Sequence, residues 1–114
     1  MKLRTIRKDS SVNVFVCEGD LDAPHMARIS TKVSRLMNRR HRRVLLDLRK
    51  TKFVDLAGLG ILVDRLRKVR QLEGDIRLCN LRPRVLETLR LVGLNGLIQS
   101  FNTREEAIES FHFA

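Results

Sequence analysis

From Ser11 onward, short apolar runs alternate with segments whose apolar residues recur at helical spacing. That alternation constrains the fold more than any other feature, because each strand must join a sheet and each helix must bury its apolar stripe against one. Ser11-Val12-Asn13-Val14-Phe15-Val16-Cys17 opens with alternation and turns apolar throughout, as a strand does on becoming central. Leu3 to Arg7 reads as a short strand paired with it through a Lys8-Asp9-Ser10 turn. Val44-Leu45-Leu46-Asp47-Leu48 has the look of a strand buried on both faces. Ile76-Arg77-Leu78-Cys79 and Leu97 to Phe101 supply two more strands.

The intervening segments read as helices. Asp22 can N-cap the first, with Pro24 in its first turn. Met26, Ile29, Val33, Leu36 and Met37 make its apolar face, opposite Arg28, Lys32, Arg35 and Arg39. The second carries Leu59, Leu62, Val63, Leu66 and Val69, with Asp64 and Lys68 as an exposed i,i+4 pair and Gly74 as the stop. Pro83 starts the third, which carries Val85, Leu86, Leu89 and Val92, and Gly93 suits a left-handed cap. Thr103 and Glu106 form a capping box for the last, which buries Ala107, Ile108 and Phe111. The expected fold class is α/β, a mixed but mostly parallel sheet of about five strands with about four helices. At 114 residues the whole chain, 1–114, reads as one domain.

The core must be mostly Leu, Val and Ile, because the chain has five Phe and neither Trp nor Tyr. No apolar run approaches the roughly 18 residues of a membrane span, and the first residues lack the apolar segment of a secretory signal. A cytoplasmic location is therefore expected. Cys17 and Cys79 each fall within a strand, where a thiol acts as a small buried hydrophobe. Neither a disulfide nor a metal site is expected from them. The net charge of +10 speaks to partners and solubility, not to fold.

His25, His41 and His112 lie in separate segments without a nucleophile or carboxylate at a motif spacing, so no catalytic residue and no cofactor is assigned. Gly58-Leu59-Gly60 follows a strand and opens a helix, but it lacks the third glycine or the lysine of a nucleotide loop. Small residues there let a helix N-terminus pack close to the sheet, and its free N–H groups could receive an anionic group from a partner. The arginine-rich stripes lack interleaved aromatics, and a solvated, acid-seeking face outweighs a nucleic-acid site. Asp22 and Asp55 each suit a helix cap. Together with Asp20 they also fall at strand C-terminal ends, where open α/β sheets bind ligands.

Taken in order, these segments resemble the STAS domain, and most closely the bacterial anti-sigma factor antagonists. Gly19-Asp20-Leu21-Asp22 is similar to that family's Gly-Glu-Leu-Asp loop. Ala57-Gly58-Leu59-Gly60, after Phe53-Val54-Asp55, matches the end of its Asp-Ser-Ser-Gly-Leu-Gly motif. Val92-Gly93-Leu94 and Phe101 to Ala107 match its closing pattern. The resemblance implies a non-enzymatic partner switch that binds an anti-sigma factor, often a histidine-kinase-like ATPase, and so releases a sigma factor. It implies a contact surface of Asp20, Asp22, Asp55, Leu56, Ala57, Gly58, Leu59, Gly60, Asp64 and Arg65. The family's phosphorylatable hydroxyl is missing, since Leu56 and Ala57 occupy those positions. Thr51 is the remaining candidate phosphosite. The readings left open are an antagonist that is always competent, a STAS adaptor in a signalling or lipid-transport assembly, and a basic nucleic-acid binder. For the first, the basic surface would meet an acidic partner.

Overall fold

A computed structural model describes residues 2–9 and 11–112, with side chains from Ser11 onward. The element order is β1 (Lys2–Asp9), β2 (Val12–Glu18), α1 (Ala23–Asn38), β3 (Arg43–Lys50), α2 (Leu56–Gln71), β4 (Asp75–Cys79), α3 (Pro83–Leu91), β5 (Ser100–Phe101) and α4 (Arg104–His112). The five strands form one sheet in the order β1-β2-β3-β4-β5. β1 and β2 are antiparallel, and every later pair is parallel. This is the mixed, mostly parallel α/β sheet expected from the alternation.

Period-two alternation sorts the strand residues between two layers. Phe15, Cys17, Val44, Leu46, Leu48, Ile76 and Leu78 face the larger core, which α1, α2 and α3 cover. Val12, Val14, Leu45 and Cys79 face a smaller core with Ala107 and Phe111 of α4. β3 is thus buried on both faces, as its apolar run requires. Among the described residues no helix is long and apolar enough to cross a membrane.

Several boundaries differ from the sequence reading. β1 reaches Asp9, so Lys8 and Asp9 belong to the strand, and Ser10 lies outside the described residues. β3 runs to Lys50, past Leu48. β5 is only Ser100–Phe101, because Leu97 and Ile98 are spent in the turn that follows α3. Ile98 is buried there, so its apolar character served packing and not a strand. Val92 lies on the exposed side, beyond the end of α3. Lys32, expected to face solvent, is half-buried.

Three helices end in the same double hydrogen bond, with a left-handed residue just past the cap. The left-handed residue is Arg40 (φ 63°) after α1, Glu73 (φ 64°) after α2 and Gly93 (φ 76°) after α3. His41 N–H donates to the Leu36 carbonyl at 2.9 Å, Gly74 N–H to Val69 at 3.0 Å, and Leu94 N–H to Leu89 at 2.8 Å. Gly93 does what was expected of it. Gly74 does not make the left-handed turn, which falls on Glu73. It is glycine because a Cβ there would overlap the Arg42 carbonyl oxygen.

Candidate functional site

Two loops meet at the C-terminal end of the sheet, one joining β2 to α1 and the other β3 to α2. Leu21 N–H donates to the Phe53 carbonyl at 2.9 Å, and Asp55 N–H donates to the Leu21 carbonyl at 3.2 Å. Leu21 and Val54 thus form an isolated parallel bridge, with both side chains buried. The loops behave as one further rung of the sheet, which fixes the start of α2 against the start of α1.

Both helix starts are capped by aspartate. The Asp22 carboxylate accepts from His25 N–H at 3.0 Å, and Asp55 accepts from Gly58 N–H at 2.7 Å. His25 Nδ1 also lies 3.0 Å from the Asp20 carbonyl oxygen and 2.9 Å from Asp22 Oδ1. Gly58 packs against the bridge itself, and a Cβ there would run into the Leu21 carbonyl. Gly58 is therefore a close-approach residue, as expected of small residues that let a helix N-terminus pack close to the sheet.

Above this base lies an exposed apolar step. Leu56, the first residue of α2, is 69% exposed, and Phe53 is 49% exposed. Lys52, Ala57 and Gly60 are exposed beside them, and Asp20 is exposed on the neighbouring loop. Isolated surface apolar residues are ordinary. Here two large ones flank a helix N-terminus whose first turn contains no acidic residue.

The structure brings Asp20, Asp22, Asp55, Leu56, Ala57, Gly58, Leu59 and Gly60 to this one end, but in different capacities. Gly58 and Leu59 are buried, so they seat α2 and do not face a partner. Asp64 lies two turns further along, on the exposed face, 3.2 Å from Lys68 in the expected ion pair. Arg65 is turned toward α1, with Nε donating to Ser30 Oγ at 2.8 Å and Nη1 to Ser34 Oγ at 3.3 Å. It ties the two helices together. Thr51 is fully buried and its hydroxyl donates to the Cys17 carbonyl at 3.2 Å. Burial corrects its reading as a displaced phosphosite, because a kinase cannot reach that oxygen in the folded chain.

Sequence reasoning missed Phe53, which was read only as part of the strand approach. It also missed a buried charge network just below the site. Asp47 is fully buried within β3. Arg104 grips its Oδ2 with Nη2 at 2.8 Å and Nε at 3.2 Å. Arg49 N–H and Asn80 Nδ2 donate to Oδ1 at 3.1 and 3.2 Å. Burial by itself would raise this carboxyl. The Arg104 hydrogen bonds, with those from Arg49 and Asn80, outweigh it and hold the group below its usual value. A charged residue inside an apolar strand was the available signal. Its partner, far along the chain in α4, carried none.

Cys17 and Cys79 are buried free thiols, both pushed up to about 12, first by burial and then by the charge of Asp47. They are poor nucleophiles in that state. Among the described residues no three His, Cys, Asp or Glu side chains gather as metal ligands. The arrangement offers a shaped, apolar, capped surface, which suits recognition of another protein.

The fold is that of a small, single α/β domain with a mostly parallel sheet. The STAS domain family model matches residues 4–107, and the chain belongs to that family. BtrV of Bordetella bronchiseptica, an anti-sigma factor antagonist candidate, is 27% identical over 114 residues, covering 100% of this chain and 97% of that protein. Among solved structures, the unphosphorylated anti-sigma factor antagonist SpoIIAA superposes with a TM-score of 0.81 at 22% identity, covering 99% of this chain and 98% of that one. A Thermotoga maritima protein described in similar terms gives 0.82 at 19% identity, covering 96% and 92%. The chain is thus a STAS protein related by fold and distant sequence to anti-sigma factor antagonists, which are non-enzymatic regulators.

Proposed function

We propose that this chain is a partner-switching regulator of the anti-sigma factor antagonist type, binding an anti-sigma factor through the Phe53–Leu56 step in the bacterial cytoplasm. The observation that carries the reading is Leu56. It stands at the first position of α2, exposed and apolar, where the family motif carries a hydroxyl. Covering the exposed part of each side chain, 69% of Leu56 and 49% of Phe53, contributes roughly 1–2 kcal/mol for Leu56 and about 0.7–1.5 kcal/mol for Phe53. A phosphate at this point would add about −1.5 to −2 charge and oppose such a contact. Neither Leu56 nor Ala57 can accept one, so the docking surface is always competent. Control then rests on abundance or on the partner, and an acidic ATPase-type anti-sigma factor suits the charge of +10.

Affinity capture from native lysate, comparing the wild type with Leu56→Asp, tests the reading. Wild-type bait is expected to retain an anti-sigma factor that the variant loses, and incubation with kinase and ATP leaves wild-type binding unchanged. A variant that keeps every specific partner removes the turn from the interface. Capture of transport or signalling subunits in place of an anti-sigma factor makes the domain an adaptor.

A further inference from the structure

The second surface lies on the C-terminal half of α1. Between Ala23 and Leu46 the chain has no Asp or Glu, while Arg28, Lys32, Arg35, Arg39, Arg40, Arg42 and Arg43 all fall in that stretch. Three of these cations, Lys32, Arg35 and Arg39, rim a cleft of about 240 Å³ whose apolar surface is half-buried Leu36, with Phe15, only 2% exposed, beneath it. Among the described residues no carboxylate pairs with any of the three. Several cations elsewhere do have carboxylate partners, although among the described residues Lys52, Arg67, Arg84 and Arg90 do not. Arg70 and Arg77 meet Asp75, Arg104 meets Asp47, Lys68 meets Asp64, and Lys50 meets Glu18. Three neighbouring cations around an apolar floor repel one another, and an anionic partner relieves that repulsion while covering the floor.

The size of the cleft narrows the occupant. At about 240 Å³ it falls below the roughly 300–1,000 Å³ of small-molecule sites. It has room for one large apolar side chain. Positions 32, 35 and 39 spread the charges over about 10 Å of helix, at 1.5 Å per residue. In an extended peptide, carboxylates three residues apart span a similar length, at about 3.3 Å per residue. The site also stands apart from the docking turn, since Lys32 is about 15 Å along α1 from its cap at Asp22.

We propose that this cleft is a second protein-docking surface, which takes an acidic segment carrying one apolar anchor, the anchor seated on Leu36 and its flanking carboxylates on Lys32, Arg35 and Arg39. Such a surface lets the domain hold one partner through α1 while the turn at α2 engages another. The rim charges set on-rate and salt dependence more than affinity, and the anchor supplies the specificity.

Fluorescence anisotropy with the labelled peptide Glu-Asp-Glu-Phe-Asp-Glu tests this, alongside the same peptide with Phe replaced by Ala. Duplex DNA and anionic lipid vesicles serve as comparison probes. The expected result is binding that falls at least about tenfold in K32Q/R35Q/R39Q and weakens with the Ala peptide. Binding should be the same in Leu56→Asp as in the wild type, which separates this surface from the turn. Equal affinity of wild type and triple variant overturns the proposal. So does equal affinity for the two peptides, which leaves charge alone, or loss of the peptide in Leu56→Asp. DNA or vesicles that depend on the three cations more steeply than the peptide assign the surface to that polyanion instead. The Ala peptide uses wild-type protein, so the outcome stands even if the triple variant folds poorly.

Discussion

Replacing Gly58 by Ala sets two physical effects of opposite sign against each other. Gly58 is the third residue of α2 and has ordinary helical backbone, so helix propensity alone favours Ala by about 1 kcal/mol. Its surroundings forbid the methyl. A Cβ would overlap the Leu21 carbonyl oxygen and lie 3.0 Å from the Leu21 carbonyl carbon and 3.2 Å from that of Asp22. These are backbone atoms, held by the Leu21–Phe53 and Leu21–Asp55 hydrogen bonds, and cannot rotate away. Overpacking of this kind costs about 1–3 kcal/mol. Prising the loops apart also loses two hydrogen bonds, each worth about 0.5–1.5 kcal/mol net. Set against the propensity gain, the net loss is about 1–5 kcal/mol, with about 3 as the central value. Urea unfolding followed by far-ultraviolet circular dichroism reads it. With a slope of about 2 kcal/mol per molar, the midpoint falls by about 1.5 M. A midpoint equal to or above the wild type would mean that propensity wins and the loop–helix contact does not constrain the fold.

Asp47→Ala leaves Arg104 largely buried without its carboxylate and is expected to cost about 3–5 kcal/mol in urea unfolding at pH 7. The Asp47 carboxyl is held low in the folded chain, so its contribution is full above the unfolded value of about 3.9 and is lost as pH falls through the folded value. The stability gap between wild type and Asp47→Asn should therefore hold from pH 7 to pH 5 and shrink at pH 3. Leu56→Asp should alter folding stability by less than about 0.5 kcal/mol, because the side chain it removes is mostly exposed, and thermal melts of the two proteins check this. Cys17 and Cys79 should resist a thiol reagent at pH 8 in the native protein and react fully in strong denaturant, as read by thiol titration.

What could be read without a structure was whatever depends on neighbours in sequence. The Asp22 and Asp55 caps bond an N–H three residues on, and Thr103 accepts from Glu106 N–H at 3.1 Å in the same local way. The apolar runs of β2 and β3 predicted strands buried on both faces, since alternate side chains enter opposite layers, but they did not foretell that the polar Asn13 is buried as well. Arg65 shows where the signal fails. Its place on α2 suggested a surface contact, yet its bonds go to Ser30 and Ser34, more than thirty residues earlier, and no spacing rule joins them.

The sequence alone determined the α/β order, the hairpin, the helix starts and the missing hydroxyl at Leu56 and Ala57. Each rests on residue chemistry or on short-range periodicity. Only the tertiary structure decided that Leu21 bridges Val54, that Gly58 must be glycine, that Thr51 is buried and that Arg104 reaches Asp47 across 57 residues. Those contacts arise where separate loops and helices converge on the sheet, and their geometry follows from packing the whole chain at once.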